Sequence, residues 1–349
     1  MRILVIGGTS FIGPRVVRRL LEHGHRVTAF HRGQTPGDLP AEVEHINGDR
    51  KALSNFSSDF KRLAPDVVLD MILSTEQDAL AALRVFKGVA GRYVMPSSMD
   101  VYRAYGRLLQ LEAGAPDPVP YKEEGPLREV LYPYRSRAKG EDDPAYNYEK
   151  ILAERVMMSE PALPATILRL PAVYGPGDKQ HRLFEYLKHM DDGRPFILLH
   201  TSQAEWRWSR GYVENVADAI ALAVMNEQAA SRIYNVGEPI ALSEREWVQS
   251  IAGAAGWHGQ ILVLEKSAMP AHLADDHPYE HHLFSDTSRI RSELGYEERV
   301  ERERALELSI AWERENPPSE INEAQFDYAA EDAAVEELKA RNLYDRRLP

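Results

Sequence analysis

The sequence predicts an α/β fold: a parallel sheet covered by helices on both faces, followed by a smaller C-terminal α/β region. Three observations carry this. Short apolar runs alternate with segments of helical spacing through the first half. A glycine-rich turn lies between the first such run and the first helix. Past residue 171 the alternation gives way to longer loops in which Pro, Gly and aromatics recur. Strand–helix alternation is the pattern of a sheet whose strands are buried on both sides.

RILVIGG is a first strand ending in glycine. FIGPRVVRRLLEHG spaces Ile12, Val16, Val17, Leu20 and Leu21 along one helical face and stops at Gly24. HRVTAFHRG is strand-like, and VEHIN, DVVLDMI, RYVMPSS and ATILRL are further short apolar runs, with helical stretches such as TEQDALAALRVFKGV between several of them. The helix VENVADAIALAVMNE and the strand RIYNVG read as a return to the first sheet. The chain closes on two helical stretches, ERALELSIAWEREN and EAQFDYAAEDAAVEELKARN. The segment Arg103 to Asp143 is long, proline-rich and charged, and an irregular stretch of that length in a compact domain is often functional.

The chain has 349 residues, 44% of them hydrophobic, enough for one large domain or two. Its formal charge of −12 repels phosphate backbones, so nucleic acid is not an expected partner. It has no cysteine, which removes disulfides, thiolate nucleophiles and Cys-based zinc sites. Arg2 is followed at once by a strand-like run, so no signal peptide is expected, and no apolar stretch approaches the roughly 20 residues of a membrane span. The expectation is a soluble, cytoplasmic protein with a small-molecule substrate.

GGTSFIG, residues 7–13, stands where a dinucleotide-binding fold places its phosphate turn. Such a turn must be tight, must let backbone approach a pyrophosphate, and must present a helix N-terminus. Gly7 suits the tight turn and Gly13 suits close helix packing, with Gly8, Thr9, Phe11 and Ile12 completing the cofactor-binding set. Ser10 stands where glycine is usual, and its hydroxyl either crowds a phosphate or bonds it. The expected architecture is therefore a Rossmann-type doubly wound sheet over residues 1–171 plus about 212–237. A substrate-binding region takes about 172–211 plus 238–349. The second strand ends at Phe30-His31-Arg32-Gly33 with no acid for a ribose 2′-hydroxyl, whereas Arg32 can meet a 2′-phosphate. NADP is favoured over NAD, with Asp38 as the loop acid that would reverse this by folding back.

PAYNYEK, residues 144–150, holds two tyrosines and a lysine. If this stretch opens a helix, Tyr146 and Lys150 share a face and Tyr148 does not.

Taken with GGTSFIG, the sequence resembles the extended short-chain dehydrogenase/reductases, the NAD-dependent epimerase/dehydratase family. The likeness rests on GD (48–49), SSMDVY (97–102), YNYEK (146–150), AE (153–154), RLPAVYGPGD (169–178), YVENVADAI (212–220), YNVGE (234–238) and DTSRIRSELGY (286–296), in that order along nearly the whole chain. The resemblance implies a catalytic set of Ser98, Tyr146 and Lys150. A phenol with a pKa near 10 is a poor base at neutral pH, and an ammonium beside it favours the phenolate. Tyr146 would exchange the proton on the substrate oxygen, Ser98 would hydrogen-bond that oxygen, and Lys150 would also hold the nicotinamide ribose. The resemblance further implies Asp49 at the adenine, Pro171 beside the nicotinamide, and a homodimer through the Tyr/Lys helix and the helix at about 75–90. Tyr148 is then a surface or dimer-contact aromatic.

The chain departs from the family pattern at several points. Ala172 replaces the Asn that helps nucleotide-sugar members hold a diphosphate. Arg207 and Arg210 are the candidates for a phosphate-binding arginine. Met99-Asp100 supplies one acid after Ser98 where 4,6-dehydratases carry two, and Met71-Ile72-Leu73 replaces a small Ala-rich turn. The His/Asp-rich stretch 271–286 matches no metal-ligand spacing and reads as a polar loop, so no metal is expected. Trp206 and Trp208 read as loop packing or pocket wall. The function expected is NAD(P)-dependent hydride transfer at an alcohol or ketone centre, of a sugar or sugar nucleotide. The alternatives are an NADPH-dependent carbonyl reductase on a non-nucleotide substrate and a non-catalytic nucleotide- or RNA-binding relative.

Overall fold

A computed structural model describes residues 1–34 and 38–340. The strands among them are β1 (Arg2–Ile6), β2 (Arg26–His31), β3 (Glu44–Asn47), β4 (Val67–Asp70), β5 (Arg92–Ser98), β6 (Ala165–Leu170), β7 (Ala172–Tyr174), β8 (Phe196–His200), β9 (Arg210–Tyr212), β10 (Arg232–Asn235) and β11 (Gln260–Leu264). Seven of them form one parallel sheet in the order β10-β6-β5-β4-β1-β2-β3. The remaining four pair off as β7 with β9 and β8 with β11. Strand order reverses between β1 and β4, so a crevice opens at their carboxyl ends, the ligand position of an open α/β sheet.

Period-two alternation along β1 explains why the sheet is covered twice. Ile3 and Val5 join a core with Val16, Val17 and Leu20 of α1 (Ile12–Glu22). Leu4 and Ile6 join another with Phe60 of α2 (Ser57–Leu63) and Ala79, Ala82 and Phe86 of α3 (Glu76–Phe86). The long segment 103–143 is not wholly irregular. It begins with α4 (Arg103–Leu108) and carries a short 3-10 turn at Arg135–Arg137. α5 (Lys150–Met158) adds Ala153 and Met157 to the α3 side.

The second half supplies α6 (Phe184–Asp191), α7 (Thr201–Glu205), α8 (Val213–Met225), α9 (Glu244–Ala255), α10 (Ser288–Leu294), α11 (Arg302–Glu315) and α12 (Tyr328–Ala340). α8 packs on α1, and the strand after it, β10, extends the central sheet beside β6. The end of the predicted closing helix, Arg341 and Asn342, lies outside the described residues. No helix among the described residues is long and apolar enough to cross a membrane.

Several motif residues form one buried polar web. Arg169 of β6 pairs with Glu154 of α5 at 2.8 Å and donates to the Tyr102 hydroxyl at 3.1 Å. Tyr102 in turn donates to Asn235 of β10 at 2.6 Å. A buried charge needs a partner, so these far-apart positions depend on one another.

The helix expected to open at Tyr146 opens four residues later. Glu149, in extended conformation, is its N-cap, and its carboxylate accepts from the Ile151 N–H at 2.9 Å. The same carboxylate pairs with Arg128 at 3.1 Å, both side chains fully buried, and accepts from the Tyr132 N–H at 2.6 Å. A helix continued back to Tyr146 would withdraw Glu149 from this position. Glu149→Ala leaves the Arg128 guanidinium buried and unpaired. It should lower the unfolding free energy by about 3–5 kcal/mol, read from the urea midpoint. A loss below about 1 kcal/mol would mean that water reaches Arg128.

Candidate active site

The crevice at the carboxyl ends of the strands holds two cavities. The first, about 390 Å³, is lined by Gly7, Thr9, Ser10, Arg32, Asp49 and Lys51, together with Ile72, among others. Gly7 has φ +79°, the left-handed region that the tight turn requires. A Cβ on Gly13 would stand 2.6 Å from the Gly8 carbonyl, so only glycine lets α1 approach the turn this closely. The N-cap Phe11 makes no side-chain cap bond. Backbone N–H groups at this helix end therefore have no side-chain cap, as an anion site requires. Phe11 and Ile12 pack against the core rather than lining the cavity, and Gly8 and Gly13 are buried beneath it. This cradle fits a dinucleotide.

At the ribose end, Arg32 and Lys51 are both exposed. Asp49 accepts from the Lys51 backbone N–H at 2.8 Å as cap of the following turn. Asp38 is turned away and held by Arg18. Ile72 leans over Gly7, within 2.6 Å of where a Cβ would be. Below them Asp70, fully buried, accepts from the Tyr93 hydroxyl at 2.6 Å and pairs with Arg50, which also meets Asp78 at 2.9 Å.

The Lys150 ammonium donates to the carbonyls of Leu73, beyond the end of β4, and Pro96 in β5, the latter at 2.9 Å. Burial lowers its pKa to about 8 against the opposing pull of Asp100, Asp70 and Glu154.

The second cavity, about 410 Å³, is lined by Ser98, Asp100, Tyr148, Pro171 and Arg182 within a largely aromatic wall. Tyr148 donates to Asp100 Oδ2 at 2.8 Å, and Ser98 lines the same cavity. Burial, then the Asp100 carboxylate, push the Tyr148 phenol well above its usual value. Tyr134 donates to the same Asp100 oxygen at 2.9 Å. Burial raises the Asp100 carboxyl too, opposed by Arg128 and the two phenols. The site therefore presents a neutral phenol beside a serine hydroxyl, the pair that can give a proton to a substrate oxygen.

The two tyrosines have exchanged the places that helix spacing assigns them. Tyr146 lies in a turn, half-buried, its ring 4.8 Å from the Arg135 guanidinium and outside the lining of either cavity. Tyr148 projects into the second cavity because Glu149, between it and Lys150, is extended, and residues either side of an extended residue share a side. Neither candidate phosphate arginine lines this cavity. Arg210 is buried in a pair with Glu244 and stacks on Trp247, and Arg207 donates to the Ala241 carbonyl at 2.7 Å beside Glu246. Both were assigned by nearness to YVENVADAI, and the carboxylates that engage them come from α9, distant in sequence. Sequence reasoning also passed over Lys51, Asp100, Tyr134 and Arg182. Asp100, the one acid in Met99-Asp100 after Ser98, was the visible signal. Trp208 lines the cavity and Trp206 packs behind it, ring centroids 5.4 Å apart.

Residues 3–237 match the family model described as NAD dependent epimerase/dehydratase family. The chain is similar, at 26% identity over 83% of its length and 75% of the relative's, to 2'-dehydrokanamycin reductase of Streptomyces kanamyceticus. It is also 26% identical over 67% of its length to the chloroplast stem-loop binding protein of 41 kDa b of Arabidopsis thaliana, spanning 58% of that protein. Its fold matches that of UDP-glucose 4-epimerase of Thermus thermophilus, solved with NAD, at a TM-score of 0.63 and 20% identity, over 90% of this chain and all of the other.

Proposed function

The chain belongs to the NAD dependent epimerase/dehydratase family, and from that premise we propose that it moves hydride between NADP and an alcohol or ketone centre, acting as a carbonyl reductase. The observation that carries this reading is that Ser98 and Tyr148 line the same cavity as Pro171, with the Lys150 ammonium bonded to the carbonyl of Pro96, two residues before Ser98. The nicotinamide, when bound, supplies or takes the hydride. Ser98 and Tyr148 hold the substrate oxygen, and Tyr148 gives it the proton. A neutral phenol is the form that reduction consumes, and burial keeps Tyr148 in that form. Lys150 stabilises the phenolate left behind. Tyr146 is thus replaced by Tyr148 in the Ser/Tyr/Lys set.

NADP is preferred in this reading because Arg32 and Lys51 stand at the ribose end, while Asp38 is engaged by Arg18. The −12 charge speaks against an RNA role, the stem-loop-binding relative notwithstanding. Residues 172–211 and 238–349 serve as the substrate-binding part. α3 and α5, side by side on one face of the sheet, serve as a homodimer surface.

Three outcomes follow. In a fluorescence titration of nucleotide-stripped protein, NADPH should bind more tightly than NADH, and Arg32→Ala with Lys51→Ala should remove most of that difference. Tighter NADH binding would end the NADP assignment. Tyr148→Phe should abolish turnover and leave NADPH affinity nearly unchanged, whereas Tyr146→Phe should cost less than about fivefold in kcat/KM. The reverse pattern would restore Tyr146. Lys150 loses its charge as pH rises through about 8, so kcat/KM for reduction should decline above that pH in wild type. In Lys150→Arg, the limb of whatever activity remains should move upward.

A further inference from the structure

The substrate cavity has an unusual balance of groups. Asp100 is 6% exposed and lines it. Its Oδ2 accepts from two phenols, but its Oδ1 has no hydrogen-bond partner among the described residues. A buried carboxylate oxygen left unpaired is costly, so the site is built to receive a donor there. The aromatic wall reinforces this. Tyr134 and Tyr148 stand with ring centroids 5.2 Å apart, Tyr105 is hydrogen-bonded to Tyr134, and Tyr102, Tyr105, Tyr121 and Trp208 extend the aromatic lining. Ring faces attract cations, more strongly where water is excluded.

Positive charge at the cavity wall is sparse. Arg182 is the one cation among the lining residues, its Nη1 held by Asp178 at 2.7 Å and the Val173 carbonyl at 2.8 Å, while its Nε has no hydrogen-bond partner among the described residues. Arg128 faces Asp100 from behind, donating to its backbone carbonyl, and is neutralised by Glu149. Two of the three Lys150 donors go to the Leu73 and Pro96 carbonyls. A diphosphate entering here would meet a carboxylate, several phenols and a single lining guanidinium that is already paired with Asp178.

We infer that the substrate carries an ammonium group close to the reacting carbon, received by Asp100 Oδ1 within the aromatic wall, and carries no phosphate. The position follows from local geometry. The Asp100 N–H donates to Ser98 Oγ at 3.1 Å, so the carboxylate lies one residue pair from the hydroxyl that holds the reacting oxygen. This rests on the hydride-transfer reading of the same site and names its substrate class.

The test is isothermal titration of the full chain loaded with NADP, at neutral pH, with glucosamine, glucose and UDP-glucose. Glucose differs from glucosamine in having a hydroxyl for the amine, so size is held fixed. Glucosamine should bind at least about tenfold more tightly than glucose. UDP-glucose should bind no better than glucose. Asp100→Asn, which keeps the shape and can still accept from the phenols, should bring the glucosamine-to-glucose ratio close to one. Equal affinities in wild type, absence of glucosamine binding, tightest binding by UDP-glucose, or an unchanged ratio in Asp100→Asn would each overturn the inference. The wild-type comparison decides even if the variant does not fold. Failure of NADP to bind, or full turnover in Tyr148→Phe, would instead strike the hydride-transfer reading and its proton donor.

Discussion

The Arg128–Glu149 pair is the interaction on which the arrangement of the site depends. Both side chains are fully buried, so neither charge can be screened by water, and each must stay where the other is. Through it the long segment after β5 is fastened to the first turn of α5. Arg128 also holds the Asp100 and Val130 carbonyls, and Glu149 also caps α5 and takes the Tyr132 N–H. Its backbone N–H reaches the Ser74 carbonyl, beyond β4. Two strand-end loops, those after β4 and β5, and one helix start thus share a single pair of charges. The orientation of Tyr148, the placing of Asp100 and the position of Lys150 at the start of α5 are consequences.

The parallel sheet supplies the frame for this. Its strands deliver Gly7, Leu73, Ser98 and Pro171 to one edge although they are spread over more than 160 residues of chain. The web of Glu154, Arg169, Tyr102 and Asn235 holds that edge from below. These are the same positions at which the sequence resembles its family, and their physical content is charge pairing in a buried layer rather than contact with a ligand.

The two cavities differ in electrostatic character, and that difference divides their tasks. One ends in exposed cations over a glycine cradle and suits phosphate. The other is walled by phenols and indole around one carboxyl and suits a neutral or positive group. Lys150 is buried with its ammonium on the Leu73 and Pro96 carbonyls, from the segments of β4 and β5.

The sequence by itself determined the parallel sheet, the glycine turn and the helix after it. Each follows from local periodicity or from a backbone conformation that only certain residues adopt, as at Gly7. It did not determine which tyrosine enters the site. Spacing of four pairs Tyr146 with Lys150 only if a helix runs through both, and whether it does was decided by Glu149 finding Arg128, 21 residues earlier in the chain. Nor did it determine that Arg207 and Arg210 turn away from the cavity, since Glu246 and Glu244 reach them only once α9 has docked. Periodicity records what neighbours along the chain require. The partner of a buried charge is chosen by packing between distant segments, and only the tertiary structure decided that.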